Sequence, residues 1–362
     1  MKNDRFTPKY KFIHEDLSRK IRAGDYGDGE KLPYERELCQ DYGVERITVR
    51  HALNLLEEDG LIVKRPGVGS FVRREAAAPE RQSKVILFAM HKNQNDIRHN
   101  VNAFNAMLFF LMEQACRECG HTLLYTSVQD TDERISALEG SGAAGILLIS
   151  HHKEALLANI FSTNVPVVCI NHLDPRTLSI LPDNAGGVQA AVARLAEWGH
   201  RRIGFIAGTP MMVNAAERLD DFRHALWKNG LECDPDLFAP GDWTYDGGRE
   251  AMRRLMGAER RPTAVFAASD MMAIGAIEAV RQAKLRVPED ISVIGFDNID
   301  MGVYCTPALT TVGVDARQIA QIAVESILRF AKNPPREVDR YAIRVPATLI
   351  ERASAGHAPE AR

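Results

Sequence analysis

The order of helical and extended patterns in this 362-residue chain predicts a winged helix-turn-helix of the α+β class, followed by a larger α/β unit. Three observations carry that prediction. Three apolar stripes at helical spacing and a basic hairpin fill residues 1–75, a polar Ala-rich stretch follows, and from residue 85 onward short apolar runs alternate with amphipathic ones. The length calls for two or three separately packed cores. The expected division is a first domain over 1–75, a linker over 76–83, a large domain over 84–354 and a tail over 355–362.

In the first domain, Ile13, Leu17 and Ile21 recur at helical spacing, and Gly24 offers a stop. LPYERELCQDYG (32–43) opens with a proline, carries acids in its early turns and closes on Gly43, which predicts a short second helix. In GVERITVRHALNLLEEDG (43–60), Val49, Leu53 and Leu56 form a buried stripe. Arg46, Thr48 and Arg50 lie toward the front of this third helix, and Glu57, Glu58 and Asp59 toward its rear. That polarity opposes the helix macrodipole, so the leading arginines need a partner such as a phosphate or a base edge. LIVKRPGVGSFVRR (61–74) reads as two strands around a tight turn, with Lys64, Arg65, Arg73 and Arg74 on the hairpin. Gly67 and Gly69 sit between strands rather than before a helix, so a nucleotide-phosphate loop is a poor reading.

REAAAPERQSK (74–84) has no apolar period and suits a tether. Beyond it come VILFAM (85–90), TLLYTS (122–127), GILLIS (145–150), VPVVCI (165–170), RIGFIAG (202–208), TAVFAAS (263–269) and ISVIGF (291–296), separated by helical patterns, which implies parallel sheets wrapped by helices. Ligands bind such sheets beyond the strands' carboxyl ends, where His91, His151, Asn171, Asp270 and Asp297 stand.

Charge alone decides little. The net charge is −3, with 15 Lys/Arg against 14 Asp/Glu in residues 1–75, so attraction to nucleic acid has to come from placement. The first twenty residues hold no apolar run suited to a signal peptide or a membrane span, and a cytoplasmic chain is expected. Six scattered cysteines read as reduced thiols. The Cys116/Cys119 pair has no second Cys/His pair at zinc spacing, so neither a metal nor a cofactor is expected.

The stretches LPYERELCQDYGVERITVRHALNLLEEDG and GVGSFV resemble the GntR-type family across residues 8–73. That resemblance implies DNA contacts by Arg36, Arg46, Thr48 and Arg50, with the wing at Gly67 to Gly69 and Lys64 beside it. The bland alternative is a surface ion pair for Arg36 and solvated Arg46 and Arg50. The chain departs from the family pattern at Tyr34, which removes a Ser N-cap, and at Glu45, which faces phosphates unfavourably unless it meets a cytosine N4 or an arginine.

GHRRIGFIAG (199–208), ERLDDFRHAL (217–226), GDWTYDGGREAM (241–252), ASDMMAIGAIEAV (268–280), LRVPEDISVIGFDNID (285–300) and TPALTTVGVD (306–315) resemble the LacI/GalR-type effector domain over about residues 84–352. The resemblance implies two Rossmann-like lobes of the periplasmic-binding-protein-like type I fold, a homodimer, and a small-molecule effector in the cleft. Arg218 and Asp297 would bind effector hydroxyls, with Asn171, Ser269 and His91 assisting and Trp243 packing on the ligand, chemistry that suits a sugar. Ser269 stands where Asn is common. Arg218 and Asp297 pairing only with each other, Trp243 as core and His91 as a plain loop residue are the competing roles. Head plus body match the arabinose-repressor type of regulator, expected to bind double-stranded operator DNA as a repressor that a sugar or sugar derivative relieves. The rivals are a solute-binding protein of a transporter, which would need no head, and an enzyme, for which no catalytic constellation emerges.

Overall fold

The computed structural model describes residues 9–65, 68–72, 84–91, 103–128, 132, 135, 138, 142–150, 152–163, 165–333 and 341–360. The chain divides into two compact units, Met1–Gln82 and Ser83–Arg362. The expected linker, 76–83, lies outside the described residues, as do Gly67 and His151.

The first unit runs α1 (Lys9–Ala23), α2 (Glu35–Tyr42), α3 (Arg46–Glu58), β1 (Ile62–Arg65) and β2 (Gly69–Val72). Its core is the set the periodicity selects: Ile13, Leu17 and Ile21 from α1 meet Leu38 of α2 and Val49, Leu53 and Leu56 of α3, and the hairpin contributes Ile62 and Val72. His14 Nε2 lies 2.6 Å from Asp59 Oδ2, joining α1 to the end of α3, and the Tyr42 hydroxyl donates to Asp16 Oδ2 at 2.7 Å, joining α1 to α2. Tyr34 does leave α2 without a Ser cap. Glu37 compensates from inside the helix, its Oε2 accepting from the Tyr34 backbone N–H at 2.7 Å. Strand β1 pairs antiparallel with β2, Ile62 opposite Val72 and Arg65 opposite Gly69. Residues 29–32 add to the free edge of β2 through Gly29 N to Val72 O (2.8 Å) and Leu32 N to Ser70 O (2.9 Å).

The second unit continues with β3 (Val85–His91), α4 (Ala103–Glu118), β4 (Thr122–Val128), β5 (Gly145–Ile149), α5 (Glu154–Ser162), β6 (Val167–Ile170) and β7 (Leu178–Pro182). Then follow α6 (Asn184–Glu197), β8 (Ile203–Ala207), α7 (Val213–Lys228), β9 (Phe238–Pro240), α8 (Tyr245–Met256), β10 (Ala264–Ala267), α9 (Asp270–Gln282), β11 (Ser292–Asp297) and α10 (Met301–Tyr304). It closes with β12 (Thr310–Val314), α11 (Ala316–Lys332), β13 (Ala342–Val345) and β14 (Ala347–Ile350).

These strands form two six-stranded sheets, ordered β13-β7-β6-β5-β3-β4 and β14-β12-β11-β10-β8-β9. Every pairing is parallel except β12 with β14. Helices cover both faces, so β5, β6, β7, β10 and β11 are buried along their whole length. In each sheet the chain first moves one way (β3 to β4, β8 to β9) and then back past its start (β5, β10), which opens a crevice between β3 and β5 and another between β8 and β10. The chain crosses between the lobes three times, at 182–184, 314–316 and 345–347.

The end of the chain departs from the expected tail. Ala355 is buried, Gly356 O lies 3.0 Å from His200 Nε2, and Ala358 N donates to Trp198 O at 2.8 Å, so residues 355–360 belong to the second lobe. Among the described residues no helix is long and apolar enough to cross a membrane.

Candidate functional site

Helix α3 begins at Arg46, and Glu45 at its N-cap makes no side-chain capping bond. The leading arginines find a partner across the helix-turn-helix. Arg46 Nε donates to Glu35 Oε2 at 2.6 Å, and Arg50 donates to both Glu35 oxygens at 3.2 and 3.3 Å. The two guanidinium groups hold the Glu35 carboxyl below its ordinary range, chiefly through the Arg50 hydrogen bond. The helix polarity predicts a phosphate or base-edge partner for these arginines, with Glu45 as an acid that can meet a cytosine N4 or an arginine; within the head the acid that pairs with them is Glu35. Arg36 is exposed and forms no ion pair among the described residues, and Thr48 is half-buried. Lys64 Nζ reaches Glu57 Oε2 at 3.1 Å and Asn54 Oδ1, toward the rear of α3. Gly69 has φ +136°, and a Cβ there would stand 2.6 Å from Lys31 Cε, which explains the glycine at the start of β2. Sequence reasoning missed Ile47. Its side chain is 75% exposed between Arg46 and Thr48, an apolar residue on a polar front.

In the large unit, backbone geometry marks the strand ends. Of the six non-glycine residues with positive φ among the described residues, Ser150, Asn171, Trp243, Asp297 and Asn298 lie at or just beyond the carboxyl ends of strands. Such strain collects where a ligand site is over-determined by its surroundings.

The second sheet gathers four of the predicted residues. Arg218, on α7 and 3% exposed, lies 3.5 Å over the Phe296 ring and donates to Asn184 Oδ1 (2.8 Å) and to Ala268 O (2.5 Å). Its Nη1 is 3.5 Å from Asp297 Oδ1, and the Trp243 ring centre is 5.9 Å from its guanidinium. Burial pushes the Asp297 carboxyl up to about 8, with Arg218 pulling the other way. Trp243 packs so closely on the end of β8 that a Cβ on Gly208 would fall 2.1 Å from its ring, and its buried Nε1 has no hydrogen-bond partner. Ser269 is the N-cap of α9, accepting from Met272 N at 3.4 Å, which leaves its hydroxyl proton free to donate elsewhere. Asp270 is fully buried as a fastener: it accepts from Ile299 N (2.8 Å) and the Thr311 hydroxyl, holding the loop after β11.

On the first sheet, His91 ends β3 and Asn171 follows β6, on either side of β5. Asn171 Oδ1 is buried without a partner, and the His91 ring stands edge-on to His152 at 6.0 Å. Asn184 and His152 were not foreseen. Asn184 sits where the chain crosses between lobes, bonding Arg218 as well as Glu217 Oε2 at 2.7 Å and Asn214 Oδ1 at 3.2 Å. Beside it Arg344 of β13 grips both oxygens of Glu217, at 2.6 and 2.9 Å.

A winged head followed along the chain by a two-lobed body with polar, strained strand ends defines a ligand-controlled DNA-binding regulator. Comparisons with known proteins agree. The family model for bacterial regulatory proteins of the gntR family matches residues 9–72, and that for the periplasmic binding protein-like domain matches residues 192–355. The HTH-type transcriptional repressor PurR of Aliivibrio salmonicida is 32% identical over 249 residues, 67% of this chain and 75% of the relative. The ribose operon repressor of Escherichia coli is 28% identical over 332 residues, 88% of this chain and 99% of the repressor. The solved complex of the transcriptional regulator CelR with cellobiose superimposes with a TM-score of 0.68 at 25% identity, covering 90% of this chain and 100% of that one. The chain belongs to the LacI family of ligand-controlled transcriptional repressors and carries a gntR-type head.

Proposed function

We propose that the protein acts in the cytoplasm as a homodimeric repressor of the arabinose-repressor type, without enzymatic activity, whose operator binding is relieved by a small sugar or sugar derivative. The observation that carries the effector reading is the buried cluster of Arg218 and Asp297 beside a tryptophan with an unpartnered N–H. Guanidinium donors beside a carboxyl group that both donates and accepts suit vicinal hydroxyls. Arg218, Asp297 and Ser269 would bind those hydroxyls, Trp243 would cover a ring face, and Asn171 and His91 would close on the ligand from the first sheet.

On DNA, Arg46, Thr48, Arg50 and Arg36 would read the major groove while the wing at Gly67 to Gly69 approaches the backbone, with Lys64 reaching it only after leaving Glu57. Dimer formation is supported by exposed apolar residues on the edge strand β4 and helix α4 of the first lobe (Leu124, Tyr125, Phe110) and by Tyr304, 84% exposed, on the second. The relatives' ligands agree with a sugar: one solved relative holds cellobiose and another LacI-family regulator holds ribose. Thermal unfolding against cellobiose, ribose, arabinose, other pentoses and hexoses, nucleosides and purines tests the reading. A sugar that raises the melting temperature and weakens operator binding is the expected result. A response confined to a nucleoside or purine overturns it.

A further inference from the structure

Glu35 occupies the centre of the face that is meant to meet DNA. It stands in the first turn of α2, where the macrodipole favours an acid, and the helix fixes its carboxylate between two guanidinium groups from α3. Arg46 and Arg50 are four residues apart on one side of α3, at the helix end that repels cations, so their mutual repulsion and the macrodipole both act against them. A single carboxylate offsets both effects and gathers the two side chains, 72% and 57% exposed, into one cluster. The same charge acts against any approaching phosphate.

Phosphate attraction is sequence-independent and supplies most non-specific binding. A carboxylate held between the reading arginines subtracts from that attraction on every duplex. Each guanidinium has five N–H donors and spends only one (Arg46) or two (Arg50) on Glu35, so base-edge acceptors such as guanine O6 and N7 can take the rest while the carboxylate stays in place, and a cytosine N4 there can donate to that carboxylate. We infer that Glu35 is a specificity-determining residue of the reading face, gathering Arg46 and Arg50 for base contact while weakening binding that rests on phosphates alone. The inference depends on the DNA-binding reading above and goes beyond it in assigning an acidic residue a role at an anionic ligand.

The test compares the full chain with Glu35→Gln, which keeps the side-chain shape and removes the charge. Fluorescence anisotropy follows binding to a random-sequence duplex and to an operator that the wild-type chain selects from a random duplex library, between 50 and 250 mM KCl. Glu35→Gln should bind the random duplex about three- to ten-fold tighter, with a salt slope steeper by about one, and its operator-to-random ratio should fall at least threefold. A purely structural role would weaken both complexes together and leave the slope unchanged. Glu35→Ser carries the same expectation and serves if the glutamine variant melts early. A random-duplex affinity and slope that match wild type in a folded variant overturn the role of Glu35. A wild-type chain that binds no duplex at all overturns instead the DNA-binding reading on which it rests.

Discussion

Replacing Arg218 by methionine separates its structural contribution from its effector role, because methionine keeps an apolar stem against Phe296 and removes every hydrogen bond. Two buried acceptors, Asn184 Oδ1 and Ala268 O, lose a donor, and Asp297 loses its neighbouring cation. Each orphaned buried acceptor costs about 1–3 kcal/mol, and because the raised pKa leaves Asp297 largely protonated at pH 7, the two acceptors set the cost there at about 2–6 kcal/mol. At about 2 °C per kcal/mol for a unit of this size, the melting temperature should fall by about 4–12 °C at pH 7. Asp297 also fixes the pH dependence. Burial raises its folded pKa to about 8, far above the unfolded carboxyl, so folding takes up a proton and stability declines as pH rises until the folded group ionises. Without Arg218 that pKa moves higher still. The stability gap between wild type and variant should therefore stay constant up to about pH 8 and widen above it by about 1.4 kcal/mol per pH unit. Thermal unfolding followed by near-ultraviolet circular dichroism from pH 6.5 to 9.5 reads the gap directly, and pairing the change with Asp297→Asn should abolish its widening. A melting temperature within about 2 °C of wild type at pH 7, or a gap flat across the range, would refute the reasoning.

Other outcomes follow from the same geometry. Arg46→Ala and Arg50→Ala should each weaken operator binding by about 1–3 kcal/mol in gel-shift titrations, and equal affinity would exclude them from the reading face. Ile47→Ala should relax the preference at a thymine whose methyl meets the exposed isoleucine; a selected operator consensus identical to wild type would exclude that contact. Trp243→Leu should leave the unliganded melting temperature within a few degrees yet abolish the sugar-induced rise, and an intact rise would place the ligand elsewhere. Phe110→Asp combined with Tyr304→Asp should shift sedimentation from dimer toward monomer and weaken operator binding in parallel.

The head was almost wholly legible because its signals are local. Stripes such as Ile13, Leu17 and Ile21, and the closing glycines Gly24 and Gly43, fall within a few residues of what they determine. In the body seven apolar runs stand out, whereas β7 (LSILP), β9 (FAP), β12 (TTVGV), β13 (AIRV) and β14 (ATLI) break their apolar residues with Ser, Pro, Thr, Gly or Arg. Strand β14 pairs antiparallel at an edge, which no local pattern announces. The site shows the same division. Arg218 and Asp297 were named from motifs, but Asn184, which orients Arg218, comes from a crossing segment 34 residues earlier. Glu45 drew attention because it adjoins Arg46, although Glu35, eleven residues before Arg46, makes the contact. Ser269 was readable as a helix cap by its own chemistry and was assigned wholly to the ligand instead.

The three crossings impose an order of events during synthesis. Sheet one waits for β13 and sheet two for β14, both near the end of the chain, so neither lobe is complete until nearly all of it has left the ribosome. The head closes its core by Val72 and needs nothing further along. A growing chain therefore carries a finished DNA-reading module well before the sensor that governs it can fold, and the interval between them is one in which that module is answerable to no ligand.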